Sequence, residues 1–403
     1  MSRKKILFMS HAVTMAHVAR PLKWIESLDH QHYEIFFGCS ADYRAITPEH
    51  VTYIKTSGLD PKKFAEIVDK AGIMYDSKTF EDHIQEDMDL IEQVRPDLVI
   101  GDFRHSLSVS CRLKKVKYVN MSNAYWSPYT ETPYPLPESP IIRLFGEKLS
   151  GVFLKPFIPF VLKLNFFLMV FEIRRALGKV RLKFHDYRQI ITDGDLTLFF
   201  DTPTIVPLKK RQAHERFMGP LVWSMPVPLP IWWTQLSPTR KRVFVALGSS
   251  GQAGSLLPIL NVLSQLDVDI LLSMSGKKVT LPSYPSLFVT DFLPIEDACK
   301  NSNLVICNGG SPMTHAALSY GVPTLGIIGN NDQLLNMNHI QKKGAGRTLR
   351  YWNLTEQNIK HSCKELLNNP SYLKSAQDIQ KEFSAIDLNK NFQDIFLECG
   401  MNT

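Results

Sequence analysis

Short apolar runs and helically spaced apolar positions alternate along the first part of the chain. KILFM (5–9) leads through the loop SHAVTMAH to Val18, Leu22, Ile25 and Leu28, which fall at helical spacing. Pro21 is expected in the first turn of that helix, where a missing N–H is tolerated. YEIFFGC (33–39), VTYIK (51–55), PDLVIGD (96–102) and KYVNMS (117–122) read as strands, and Phe80, Ile84, Met88, Ile91 and Val94 as one helical stripe. This alternation of strands and helices predicts an α/β fold with a parallel sheet covered on both faces.

The rhythm breaks at GVFLKPFIPFVLKLNFFLMVF (151–171), which is rich in Phe but interrupted by Lys155, Lys163, Asn165 and two prolines. A spanning helix needs about 20 nearly uncharged residues, so insertion across a membrane is not expected. GPLVWSMPVPLPIWWTQLSPTRK (219–241), with five prolines within 220–238, disfavours helix and central strand. Alternation then restarts with RVFVALG (242–248), a helix over 255–266, DILLSM (269–274), LFVTD (287–291), NLVIC (303–307) and PTLGII (323–328). The expected organisation is two Rossmann-like parallel-sheet domains facing across a cleft. They are residues 1–222 and 242–385, with a linker at 223–241 and a C-terminal helix over 386–403 crossing back to the first domain.

At 403 residues the chain is too long for one ordinary core and suits two. The six cysteines are scattered without a C-x-x-C pair, which argues against a disulfide framework or zinc site and fits a reducing cytoplasm. The apolar stretch at the start is too short for a secretory signal and reads as a first strand. Residues 141–185 hold nine Lys/Arg and two Glu, an excess of seven that equals the +7 of the whole chain. Without a nucleic-acid reading module, this charge suits phosphates or a membrane surface better than nucleic acid. Two readings of the segment compete. It can rest peripherally on the inner membrane surface, or 151–171 can be a buried helix pair with its lysines reaching solvent. The second is favoured, since long apolar stretches in soluble folds are usually core. Both imply a hydrophobic partner for the segment.

Several loops at strand ends carry candidate chemistry. Gly248-Ser249-Ser250-Gly251 would let backbone N–H groups approach an anion, although an ordinary tight turn would look the same. In Asn308-Gly309-Gly310-Ser311-Pro312 the glycines permit a tight turn, Ser311 is expected as N-cap and Pro312 as the first helical residue. A helix opening from such a turn can hold a pyrophosphate, though simple capping needs no ligand. Two such loops in one half favour nucleotide binding at a switch point. Asp332 and Gln333 can bind adjacent sugar hydroxyls, against the plainer reading of a dipole partner in a first turn. His17 lies between a strand and its helix, where a neutral imidazole can serve as general base, and Asp102 is the carboxylate that would orient it. A lone histidine is more often structural. Asp87-Met88-Asp89 has the shape of a metal-binding D-x-D, but Met88 belongs to the helical stripe, so both aspartates are expected as solvated charges. No metal is expected.

The ordered series GPLVW, PLPIWW, VALGSSG, FLPIEDA, NGGSPMTHAALSYGVP and NNDQLLNM over 219–346, with AHVARPL and VIGDF earlier, resembles the UDP-glycosyltransferase and macrolide-glycosyltransferase superfamily of GT-B fold. The resemblance implies an inverting, metal-independent transfer from a UDP- or dTDP-sugar to a hydroxyl, with no further cofactor. His17 is then the base and Asp102 its partner. Ser250, Gly251, Gly310, Met313 and Thr314 would lie at the diphosphate, the last two through backbone, and Ser249, Asn308, Gly309 and Ser311 would also belong to the donor site. Phe292 and Leu293 would lie at the base, and Asp332 and Gln333 at the sugar. Three departures stand out: Asn308 replaces a phosphate-contacting histidine, Ala316 a ribose-binding glutamate, and Phe292 a base-stacking tryptophan. The alternatives are a sugar-nucleotide epimerase of the same fold and a non-catalytic binding protein.

Overall fold

The computed structural model describes residues 3–401 except 61, 62, 65, 68–73, 132–134, 178–183, 249 and 250, and at 140, 141, 148, 155 and 253 only the backbone. Two compact units emerge: Met1–Leu136, Phe145–Gly219 and Asp387–Thr403 in the first, Pro137–Leu144 and Pro220–Ile386 in the second.

The first unit is built on seven strands: β1 (Lys4–Ser10), β2 (Tyr33–Cys39), β3 (Thr52–Lys55), β4 (Leu98–Asp102), β5 (Tyr118–Ser122), β6 (Leu196–Phe199) and β7 (Glu215–Phe217). All pair in parallel, in the order β3-β2-β1-β4-β5-β6-β7. Side chains alternate across the sheet. Leu7 and Met9 enter a cluster with Ile91, Val94 and Val99, while the Phe8 ring meets Trp24 edge-on at 5.9 Å. Helices α1 (Ala16–Glu26), α2 (Ser77–Val94) and α3 (Leu107–Lys114) cover the faces.

Pro21 sits inside α1 and not in its first turn. Proline cannot donate to the carbonyl four residues back, that of His17. The Ser10 hydroxyl takes this acceptor instead, at 2.5 Å. Asp87 also departs from expectation. It is fully buried in α2, where Arg104 Nε donates to Oδ1 at 2.9 Å and the Ser106 hydroxyl to Oδ2 at 2.5 Å. Only Asp89 remains exposed as a solvated charge.

The apolar middle forms α4 (Pro140–Phe153), broken at Gly146 (φ 72°), and α5 (Ile158–Ala176); α6 (Tyr187–Ile191) follows. Phe166, Val170 and Ile173 of α5 pack against Phe80, Ile84 and Val109, each worth about 1.5–3 kcal/mol when buried. The reading of 151–171 as a buried pair fails on the opposite face, where Phe160 is 70% exposed. The segment has two apolar faces, and the core needs only one.

The second unit carries β8 (Lys241–Ala246), β9 (Val268–Ser273), β10 (Leu287–Thr290), β11 (Leu304–Cys307), β12 (Thr324–Ile328) and β13 (Gly346–Arg350), again all parallel, in the order β10-β9-β8-β11-β12-β13. Its helices are α7 (Leu256–Leu263), α8 (Ile295–Lys300), α9 (Ser311–Ser319), α10 (Asn331–Lys342), α11 (Glu356–Asn368) and α12 (Pro370–Ser384). Val243, Val245 and Leu247 face one core cluster, Phe244 and Ala246 the other.

Residues 223–241 are part of this unit, unlike a free linker. Trp232 and Trp233 pack on the Phe244 cluster, and Trp232 Nε1 donates to the Val289 carbonyl at 3.0 Å. Residues 137–144 also group here, anchored by the buried Glu138, which pairs with Arg350 and accepts from Trp352 Nε1 at 3.0 Å. The last helix, α13 (Leu388–Glu398), lies in the first unit, where Phe392 stacks on Trp24 at 4.5 Å.

Candidate functional site

Both sheets reverse their strand order beside their first strand, between β1 and β4 and between β8 and β11. The carboxyl ends of those strands are where doubly wound sheets bind ligands. His17 and Asp102 lie at the first of these reversals, and Gly251 and the loop over 308–311 at the second.

In the first unit His17 is the second residue of α1, and Asp102 is the fully buried last residue of β4. His17 Nδ1 lies 2.7 Å from Asp102 Oδ1. A carboxylate accepting there fixes the ring proton on Nδ1 and leaves Nε2 as the basic nitrogen. Arg20, one helical turn on and so on the same face, closes on the same carboxylate. Its Nη2 donates to Oδ1 at 3.0 Å, and its Nε lies 2.7 Å from Oδ2. Arg20 Nη2 and His17 Nδ1 are 3.2 Å apart because both converge on one oxygen. Arg20 is oriented in turn by Asn123 Oδ1 at 3.0 Å, and Asn123 donates to Asp201 at 3.1 Å. The sequence reading missed Arg20, although its i+3 spacing from His17 was there to be used.

Phe103 stacks on the His17 ring, with centroids 4.4 Å apart and planes 18° from parallel. Its φ of 57° is a costly left-handed conformation for an aromatic residue, and it sits next to Asp102. Behind Phe103, His11, His83 and His105 cluster with Tyr75 and Tyr187. The Leu59 N–H donates to His11 Nε2 at 2.7 Å, so His11 Nδ1 carries the proton shared with Tyr75 Oη at 3.0 Å. Burial, then the Arg104 charge, holds His11 well below its usual value. The same two causes bring His83 to about 4, and burial above all brings His105 to about 3. These three are neutral near pH 7 and form a wall. His17, with 16% of its side chain exposed, is the histidine here that a substrate can reach.

In the second unit, the loops after β8, β11 and β12 lie side by side. A Cβ on Gly248 would stand 3.5 Å from Asn308 Nδ2, and one on Gly329 3.6 Å from Gln252 Cγ. Ser249 and Ser250 lie outside the described residues. Gly251 is fitted closely to the strand end, where a Cβ would meet the Leu247 carbonyl at 2.0 Å. Gly309 has φ +80°, and a Cβ there would come within 2.7 Å of Met337. Asn308 Oδ1 accepts from Gly310 N at 3.1 Å, which tightens the turn.

The N-cap of α9 is Gly310 and not Ser311, so Ser311 and Pro312 open the helix one residue earlier than expected. The Thr314 N–H donates to the Gly310 carbonyl at 3.2 Å, leaving Met313 in the first turn ahead of that bond. The Thr314 side chain points inward, where Asn336 Nδ2 donates to its Oγ1 at 2.8 Å. Asp332 is half-buried in the first turn of α10. Gln333 is buried and its Oε1 accepts from Gly329 N at 2.8 Å, so its carbonyl secures its own loop. Phe292 is 39% exposed, whereas Leu293 belongs to the core. Lys277, absent from the sequence reading, sets its ammonium on the Gly248 carbonyl, and partial burial holds it below its usual value.

Comparison with known proteins adds to this geometry. Residues 258–389 match the family described as Erythromycin biosynthesis protein CIII-like, C-terminal domain. The chain is 35% identical over 386 residues to a PGL/p-HBAD biosynthesis glycosyltransferase of Mycobacterium tuberculosis, covering 94% of this chain and 89% of the relative. It is also 35% identical over 382 residues to a PGL/p-HBAD biosynthesis rhamnosyltransferase of Mycobacterium bovis, covering 94% and 84%. Among solved structures, spinosyn rhamnosyltransferase SpnG complexed with thymidine diphosphate is similar with a TM-score of 0.66, covering 97% of this chain and 99% of its own, at 14% identity. That last likeness is one of fold.

Proposed function

Because the chain belongs to the UDP-glycosyltransferase and macrolide-glycosyltransferase superfamily and is a GT-B glycosyltransferase, we propose that it moves a sugar from a nucleoside-diphosphate sugar to a hydroxyl of a hydrophobic acceptor, inverting the anomeric centre without a metal. The observation that carries this reading is the 2.7 Å contact of His17 Nδ1 with Asp102, which leaves Nε2 as the base. His17 Nε2 takes the proton of the acceptor hydroxyl as its oxygen bonds to the anomeric carbon. The bond from that carbon to the phosphate oxygen breaks, and the nucleoside diphosphate leaves with the electron pair. Asp102 then faces an imidazolium and stabilises it, and Arg20 holds the carboxylate in place.

The leaving diphosphate is assigned to the α9 N-terminus, Gly251 and the Lys277 ammonium, with the helix dipole and the charge in place before reaction. This charge supply supports metal independence, as does Asp87 of the D-x-D, which Arg104 already engages. Phe292 is assigned to the base and Asp332 to the sugar. The donor is a UDP- or dTDP-sugar, the latter favoured by the thymidine diphosphate in SpnG. Nucleic acid has no part in this reading. The location is the cytoplasm, with peripheral contact at the inner membrane surface.

His17→Ala is expected to lower turnover about 100-fold or more while donor binding, followed by calorimetry, stays unchanged. Full activity in that variant would sink the assignment, and strict dependence on magnesium or manganese would overturn the metal-free part.

A further inference from the structure

The outer face of α5 is left uncovered by the fold. At 100° per residue, Phe160, Val161, Leu164, Phe167, Leu168 and Phe171 fall within about a third of the helix circumference, and all six are exposed. Phe166, Val170 and Ile173 hold the opposite side in the core. Exposed Phe153 and Phe157, just before α5, extend the apolar strip. Soluble domains rarely leave so many large apolar side chains together without a binding role.

We propose that this face docks the enzyme on an anionic lipid surface, with α5 lying in the plane of the interface. Charge selects the occupant. Residues 155–176 hold four Lys/Arg against one Glu. Lys163 and Arg175 are exposed beside the strip, and the Arg174 guanidinium sits 5.5 Å from the Phe167 ring centroid. Large apolar side chains rimmed by cations suit the headgroup boundary of an anionic bilayer. A second copy would bring two like-charged faces together, which costs binding. Among the described residues no helix is long and apolar enough to cross a membrane, and α5 has one side committed to the protein core. The helix therefore rests on lipid and does not pass through it. This inference deepens the proposed function by naming where a hydrophobic acceptor is met, and rests on that reading only for its purpose.

The test uses the full chain, without substrates, sedimented with vesicles of phosphatidylglycerol and phosphatidylcholine in equal parts, or of phosphatidylcholine alone. Binding is expected to the anionic vesicles at low salt and to fade as salt rises. Combined Phe160→Ser, Phe167→Ser and Phe171→Ser should weaken it about tenfold or more. Combined Lys163→Gln, Arg174→Gln and Arg175→Gln should remove the preference for anionic lipid. Should the apolar triple variant melt early, Phe160→Ser alone carries the comparison, since its site is open to solvent. No binding at low salt, or equal binding by all variants, overturns the proposal. So does a dimer in vesicle-free solution that the apolar variant dissociates, which would give the face to a second copy. Calorimetry of nucleotide-sugar binding, run alongside, separates this outcome from failure of the transferase reading: vesicle binding and donor binding can each be lost without the other.

Discussion

The two units share a strand order and place their candidate residues at the same reversal, yet they equip it by opposite means. In the first, charged and aromatic side chains converge: His17, Asp102, Arg20 and Phe103 each touch another of the set. In the second, glycines shape the loops, and the groups proposed to meet the ligand are largely backbone. Proton transfer needs a lone pair aimed by a partner, which only side chains supply. A diphosphate needs converging N–H dipoles, which any sequence with the right turns provides. The departures from the family pattern fall on the backbone-built side. Asn308, Ala316 and Phe292 all lie in the second unit, and Ala316 is buried in the core, 1% exposed. The first unit keeps its His–Asp pair.

If that contrast is right, the largest stability effect comes from unpairing charge in the first unit. Arg20→Ala leaves Asp102 buried with His17 as its remaining partner. The expected loss is about 3 kcal/mol, the scale for breaking a buried ion pair, read from urea denaturation. Nucleotide binding, a property of the second unit, should survive at concentrations where the protein stays folded. A loss below about 1 kcal/mol would mean that Arg20 matters little and that the convergence of side chains is incidental.

Acid should separate the units next. His11, His83 and His105 have folded-state values below their usual 6.5, His83 at about 4 and His105 at about 3. Above pH 6.5 these groups are neutral folded or unfolded, and their contribution is complete. As pH falls from 6.5 toward about 4, the unfolded chain takes up protons that the fold refuses, at about 1.4 kcal/mol per pH unit for each histidine. Hydrogen exchange between pH 7 and pH 5 should show protection falling first around β1, β4 and α2, ahead of β8 and β11. His105→Phe should flatten this dependence. Uniform loss across both units would place acid sensitivity elsewhere.

Much of this was legible in the sequence, for reasons visible in particular elements. β2 spans 33–39 as read, because YEIFFGC is apolar apart from Glu34 and has turn residues beyond it. β6, β7 and β13 were missed. ERF is three residues long, and GRTLR carries two arginines within a sheet-edge strand, so neither shows an apolar run. The His17–Asp102 pair could be guessed from strand ends alone. Arg20 was missed although its i+3 spacing puts it on the His17 face; that it reaches Asp102 follows from β1 and β4 being neighbours. Asp87 was misread because a helical stripe says which positions are apolar, and not that an arginine from another element will bury a carboxylate beside them. The outer face of α5 was misread for a related reason: periodicity separates apolar from polar sides but does not tell a core face from an uncovered one.

The smallest effect divides two neighbours that the sequence treated as one. Asp332 and Gln333 both follow β12, and both were assigned to sugar hydroxyls. The Gln333 carbonyl is engaged by Gly329 N–H at 2.8 Å, and its backbone N–H donates to Asn330 Oδ1 at 3.0 Å. Gln333→Ala should therefore loosen the loop after β12 and weaken nucleotide-sugar and free nucleoside diphosphate alike, with a lower melting temperature. Asp332 is half-buried at the helix start, and its carboxylate is the one of the two that the proposed function assigns to the sugar. Asp332→Ala should cost the nucleotide-sugar about 1 kcal/mol, roughly fivefold in Kd, and leave the diphosphate and the melting temperature almost unchanged. Calorimetry with both ligands on both variants reads the difference. Equal losses for the two ligands in Asp332→Ala would move that carboxylate from the sugar to the nucleotide, and the second unit would then use a side chain where the comparison assigns backbone.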